Sequence, residues 1–147
     1  MPNMKIADIP EPDRCRITDS TCPFIAPVGS DETSPERRKF RYASTIIQKN
    51  ASIELYGSQL VNEMLKKKTL KPIGYSLNVA EREKILVTSD LIDAETYQKV
   101  VKLRRMRNKF AHCPNEYLKF TEKELYEWSM EASKLSYTVA ELLKKHQ

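Results

Sequence analysis

From Phe40 to Leu65 apolar side chains recur at steps of three and four: Phe40, Ala43, Ile46, Ile47, Ile53, Tyr56, Leu60, Met64 and Leu65. That is the period of a helix with one buried face, and a strand does not produce it. The residues in front supply a helix start. Ser34 suits the N-cap, Pro35 the first helical position, and Glu36 places an acid in the first turn. The pattern predicts either one helix of about 30 residues or two pieces broken around residues 50–52. Lys66, Lys67 and Lys68 close it, where their charge complements the helix dipole.

Helical signals continue downstream. Residues 70–74, with Pro72, read as a turn, and residues 77–88 as a shorter helix burying Val79, Ile85 and Leu86. Asp93 is placed to cap a third helix over residues 94–111, ended by Pro114 and Asn115. Thr121-Glu122-Lys123-Glu124 is a capping box: the threonine bonds forward and the glutamate back. It opens a last helix with the stripe Leu125, Trp128, Ala132, Leu135, Val139, Leu142 and Leu143. No segment alternates as a strand would, and no repeat is visible. With only three glycines in 147 residues, a sandwich or barrel would lack the turns it needs. The expected fold is all-α, a bundle of four or five helices over residues 34–147.

The first 33 residues differ in kind. Six of the eight prolines fall at or before Pro35, and proline both removes an amide donor and pushes its predecessor toward extended geometry. Residues 1–39 carry six Lys/Arg against seven Asp/Glu, whereas residues 40–147 carry nineteen against thirteen. An irregular, mildly acidic arm in front of a basic helical domain is the expected arrangement. The N-terminus lacks the apolar core of a secretion signal, and no apolar run approaches the roughly 18 residues of a membrane span. A soluble, cytoplasmic protein is expected, without a membrane partner. Three cysteines, an odd number without CxxC spacing, argue against a disulfide framework and against structural zinc.

The third helix carries the chemistry. On a 100° helical wheel Leu103, Met106 and Phe110 form one core face, while Tyr97, Val100, Val101 and Ala111 gather within about 60° of Arg104 and Asn108. Apolar residues mixed with arginine and asparagine, away from the core face, predict contact with a second subunit or a polar cleft. Six basic residues, Lys99, Lys102, Arg104, Arg105, Arg107 and Lys109, crowd its last turns. On charge alone they complement the dipole and form a solvated stripe. The helix ends, however, in Arg107-Asn108-Lys109-Phe110-Ala111-His112, and the only other histidine is His146. Asn108 and His112 share a face at a spacing of four. Arg107 lies about 60° from Arg104 on its other side, so Arg107, Asn108 and His112 are expected to flank one groove. An arginine can hold a phosphate through two parallel hydrogen bonds and stabilise charge in its transition state. A histidine beside it can give or take a proton. With asparagine as a neutral donor and acceptor, this set suffices for cleaving RNA without a metal, because the 2′-hydroxyl is an internal nucleophile.

The segment from Leu103 to His112 closely resembles the signature of the HEPN superfamily, all-α domains with an arginine, a polar residue, and a histidine four to six residues after the arginine. The preceding stretch, residues 80–97 with Ser89-Asp90-Leu91-Ile92 and Tyr97, looks like the branch that contains the mannitol operon repressor. The resemblance spans residues 40–145 and is strongest over 85–112; the arm has no counterpart in it. It implies a homodimer with two motifs in one composite cleft, and a metal-independent endoribonuclease acting as a toxin or in anti-phage defence. Arg107 would bind the phosphate, Asn108 would orient, and His112 would be the acid/base. Arg104, Arg105 and Lys109 would contact the RNA, and no cofactor or metal is implied. An antitoxin or regulatory protein would be a possible partner. Toxins of this kind silenced by nucleotidyl transfer often carry a tyrosine two residues after the histidine, where this chain has Pro114.

Other residues carry less. Cys113 follows His112, but adjacent side chains rarely meet and no third group orients a thiol–imidazole pair. Cys15 and Cys22 make at most half a metal site. Trp128, at helical spacing in the last stripe, reads as core rather than as a base-stacking platform. Two functions therefore remain: an RNA-cleaving dimer, and a non-catalytic helical module that regulates transcription or holds a protein partner. The intact Arg-Asn-…-His set favours the first.

Overall fold

The computed structural model describes residues 34–67, 77–113 and 115–147. They form four α-helices: α1 (Pro35–Lys67), α2 (Val79–Thr88), α3 (Ala94–His112) and α4 (Glu122–His146), with a 3-10 turn at Glu116–Lys119 before the last. No strand occurs among the described residues. The all-α expectation is met. The arm at residues 1–33, the turn expected at 70–74 and Pro114 lie outside the described residues.

α1 is one continuous helix of 33 residues, so the break considered at residues 50–52 does not occur. Asn50 instead turns inward and is almost fully buried. Ser34 accepts from the Arg37 amide at 3.3 Å, which satisfies one of the free donors of the first turn. Both capping boxes are closed. Asn78 accepts from the Glu81 amide while Glu81 accepts from the Asn78 amide, each at 2.9 Å, and Thr121 and Glu124 do the same at 3.1 and 3.0 Å. Asp93 accepts from the Thr96 amide at 2.7 Å, which holds its carboxyl below the usual carboxylate range. The turn between α2 and α3 is tight. Asp90 adopts a positive φ of 57°, and the Leu91 and Ile92 amides both donate to the Leu86 carbonyl.

Cross-helix contacts fix the topology. Arg38 near the start of α1 pairs with Glu122 at the start of α4, and Leu60 and Leu65 share a cluster with Leu143 near the end of α4. α1 and α4 therefore run parallel. α3 runs against both: Lys99 pairs with Glu131 at 2.8 Å, Lys102 lies 4.6 Å over the Trp128 ring, and Phe110 meets Phe120 edge to face. The core has two parts. One joins Ala43, Ile46, Phe110, Tyr117, Leu125 and Ala132, and Phe40 meets Tyr117 at its edge. The other gathers Leu60, Val61, Leu65, Leu86, Ile92, Tyr97, Val101 and Leu143 around α2.

That second cluster corrects the expected second apolar face of α3. Tyr97 and Val101 are buried inside the chain in that cluster, and Val100 in the first cluster beside Ile53 and Val139. They are not a surface awaiting another subunit. The large apolar side chains exposed among the described residues lie elsewhere: Leu55 on α1, and Tyr126, Met130 and Tyr137 on α4. Trp128 packs half-buried against the first cluster, as its place in the stripe predicts. In α2 only Leu86 of the three expected apolar residues is fully buried, and the charged Glu83 is buried beside it. No helix among the described residues is long and apolar enough to cross a membrane.

Candidate functional site

The C-terminal half of α3 owes its position to Leu103, Met106 and Phe110, which sink into the core. They fix the helix in rotation, and the remaining positions follow. Arg107 points to α1, where its Nη2 donates to Glu54 Oε1. The same oxygen accepts from Asn50 Nδ2 at 2.9 Å, one helical turn earlier. Arg104 points to α2, where its Nε donates to Glu83 Oε1 at 2.9 Å. Two arginines of the basic stretch are thus met by one carboxylate from each neighbouring helix.

The carboxylates sit in a shared cavity between α1, α2 and α3. It is lined by Asn50, Glu54, Arg82 and Glu83 together with apolar side chains such as Ile53 and Val100. Burial pushes the Glu83 carboxyl above the usual carboxylate range; Arg104 opposes that shift and the charge of Glu54 adds to it. Glu83 Oε2 is buried without a hydrogen-bond partner, as are the Nε atoms of Arg105 and Arg107. Sequence reasoning missed Asn50, Glu54 and Glu83. One signal was available: Asn50 and Glu83 stand in the apolar register of their helices, where a polar residue needs a partner.

His112 is the last residue of α3 and is exposed. Asn108, one turn before it, is half-buried, as are Arg105 and Lys109. Five residues separate Arg107 from His112, which places them about 140° apart around the helix. Of the three residues expected to flank one groove, Asn108 and His112 share a side of the helix, and Arg107 is drawn to Glu54. Cys113, buried beyond the helix end, is disulfide-bonded. A single bridge is not the framework that the odd cysteine count argued against, but it removes the free thiol that a pairing with His112 would require. Among the described residues no group of three or more His, Cys, Asp or Glu side chains could hold a metal ion.

No protein-family model, curated protein or solved structure matches the chain.

Proposed function

We propose that this protein is a metal-independent endoribonuclease that works as a HEPN-type homodimer, with Arg107, Asn108 and His112 as its site. One observation carries the reading. α3 offers three groups at its end: a guanidinium held by a carboxylate, a half-buried amide, and an exposed imidazole. These are the groups that transfer of a phosphoryl bond to the neighbouring 2′-hydroxyl needs. The 2′-oxygen attacks the phosphorus, its proton passes to a base, and the 5′-oxygen leaves with a proton from an acid. The products are a 2′,3′-cyclic phosphate and a 5′-hydroxyl. His112 supplies acid/base chemistry, Arg107 stabilises the phosphorane charge, and Asn108 orients the phosphate. Arg104, Arg105 and Lys109 add cationic contacts to the backbone. Cutting cellular or phage RNA suits a toxin or defence effector in the cytoplasm, held in check by an antitoxin or regulatory protein. The test is cleavage of single-stranded RNA in EDTA by the wild type and by His112→Ala. Cutting that the substitution abolishes supports the proposal, and an inactive wild-type dimer refutes it.

A second reading has an observation of its own. Arg104 and Arg107 already hold intramolecular carboxylates, and Arg107 and His112 diverge around the helix. In a single chain the motif then acts as a tie between helices. A non-catalytic module that regulates transcription or binds a protein would need no more.

A further inference from the structure

We infer that Glu54, anchored by Asn50, is the positioning residue for the Arg107 guanidinium, an assignment that rests on the ribonuclease reading above. The geometry separates this pair from an ordinary structural one. Arg38 and Glu122 form a two-bond fork, Nε to Oε1 at 2.5 Å and Nη2 to Oε2 at 3.2 Å, which uses both edges that face each other. Arg107 and Glu54 do not. Only Nη2 of Arg107 reaches the carboxylate, and it shares Oε1 with the amide of Asn50. Arg107 Nε is buried with no acceptor, and 28% of the side chain remains accessible.

A grip of this form fixes the guanidinium at one nitrogen and leaves its accessible outer edge, rather than the buried Nε, for an anion. Asn50 is 1% exposed and cannot swing to solvent, so it holds the carboxylate from behind. Glu54 is in turn one helical turn along α1, and the continuous core packing of Ile46, Ile53 and Leu60 keeps that turn in place. Positioning of this kind matters because a displacement of about 1 Å in a reacting group can cost ~10²-fold in rate.

The test is a two-residue cycle on the full-length protein, with kcat and KM measured on single-stranded RNA well below the melting temperature. Glu54→Ala should lower kcat/KM by about tenfold or more. Glu54→Gln keeps an acceptor for Arg107 and should recover most of that loss. In an Arg107→Ala background Glu54→Ala should add nothing, because Glu54 acts through the arginine. A folded Glu54→Ala with unaltered kcat and KM, or effects that simply multiply with those of Arg107→Ala, overturns the inference and leaves the ribonuclease reading standing. An inactive wild type overturns that reading, and the inference with it. Should Glu54→Ala fail to fold, Glu54→Asp, which draws the carboxylate back by one methylene, completes the cycle against Arg107→Ala: losses that multiply overturn the inference, and losses that do not multiply support it.

Discussion

Arg104 reaches across from α3 to α2 and donates from Nε to Glu83 Oε1 at 2.9 Å, while the second carboxylate oxygen is buried with nothing to accept from. The pair is therefore half satisfied. Desolvation of the carboxylate exceeds what Arg104 returns, so the Glu83 pKa lies above its ordinary value of 4.5.

The sign of the pH effect follows. A raised carboxyl pKa means that the folded chain holds the proton more tightly than the unfolded one. Stability linked to Glu83 is complete below pH 4.5 and is lost as the pH rises through the raised value. Glu83→Gln escapes that loss. Its stability relative to wild type should increase from pH 4 toward neutrality, measured by urea unfolding at each pH. A difference that stays flat, or that falls as the pH rises, contradicts the assignment.

Val101 separates the two views of the second face of α3. It is 4% exposed, inside the cluster with Leu60, Val61 and Leu86. Val101→Asp should cost about 3 kcal/mol or more, since it buries a charge without a partner. The expected result is loss of cooperative unfolding or a steep fall in Tm. A stable, folded Val101→Asp monomer would instead return this position to a subunit interface.

The elements were legible because their signals are local. Thr121 and Glu124 mark the start of α4, Asp93 that of α3, and the steps from Phe40 to Leu65 trace α1; each depends on residues within one or two turns. What α3 packs against was not legible. On a wheel, Tyr97 and Val101 look unpartnered because the helix that covers them, α2, is short and carries its buried glutamate in an apolar register. Pairings such as Arg107 with Glu54 join residues 53 apart, and no spacing rule connects them. The motif residues were visible in sequence, but the partner that fixes the arginine needed the fold.

The end of α3 and the entry to α4 should differ in what they contribute. Phe110 is fully buried and meets Phe120 at 5.5 Å between ring centroids, so Phe110→Ala should cost about 3–5 kcal/mol. Thr121→Ala removes only one half of an exposed capping box and should cost about 1 kcal/mol. Chemical denaturation of both variants measures the gap. Equal losses would mean that the core at the Phe110 end relaxes to fill the space.

The divergence of Arg107 and His112 leads to a prediction about which chains build the site. In one chain the two side chains leave α3 about 140° apart, so in the proposed dimer a shared phosphate would be reached most directly by Arg107 of one protomer and His112 of the other. Arg107→Ala and His112→Ala should each lose about 10²-fold or more in activity as homodimers, leaving a measurable residue. When the two are mixed and allowed to exchange, heterodimers form in which one site has lost both groups and the other retains both. With free exchange about half of the dimers are mixed, each with one working site of two, so about a quarter of wild-type activity should return. Cleavage in EDTA, followed over time after mixing, measures it. Activity that stays at the level of the separate variants, in a mixture shown to have exchanged by native mass spectrometry, would mean that the two residues do not meet across a dimer. The site would then have to work within one chain, or the motif would serve only to tie α3 to α1.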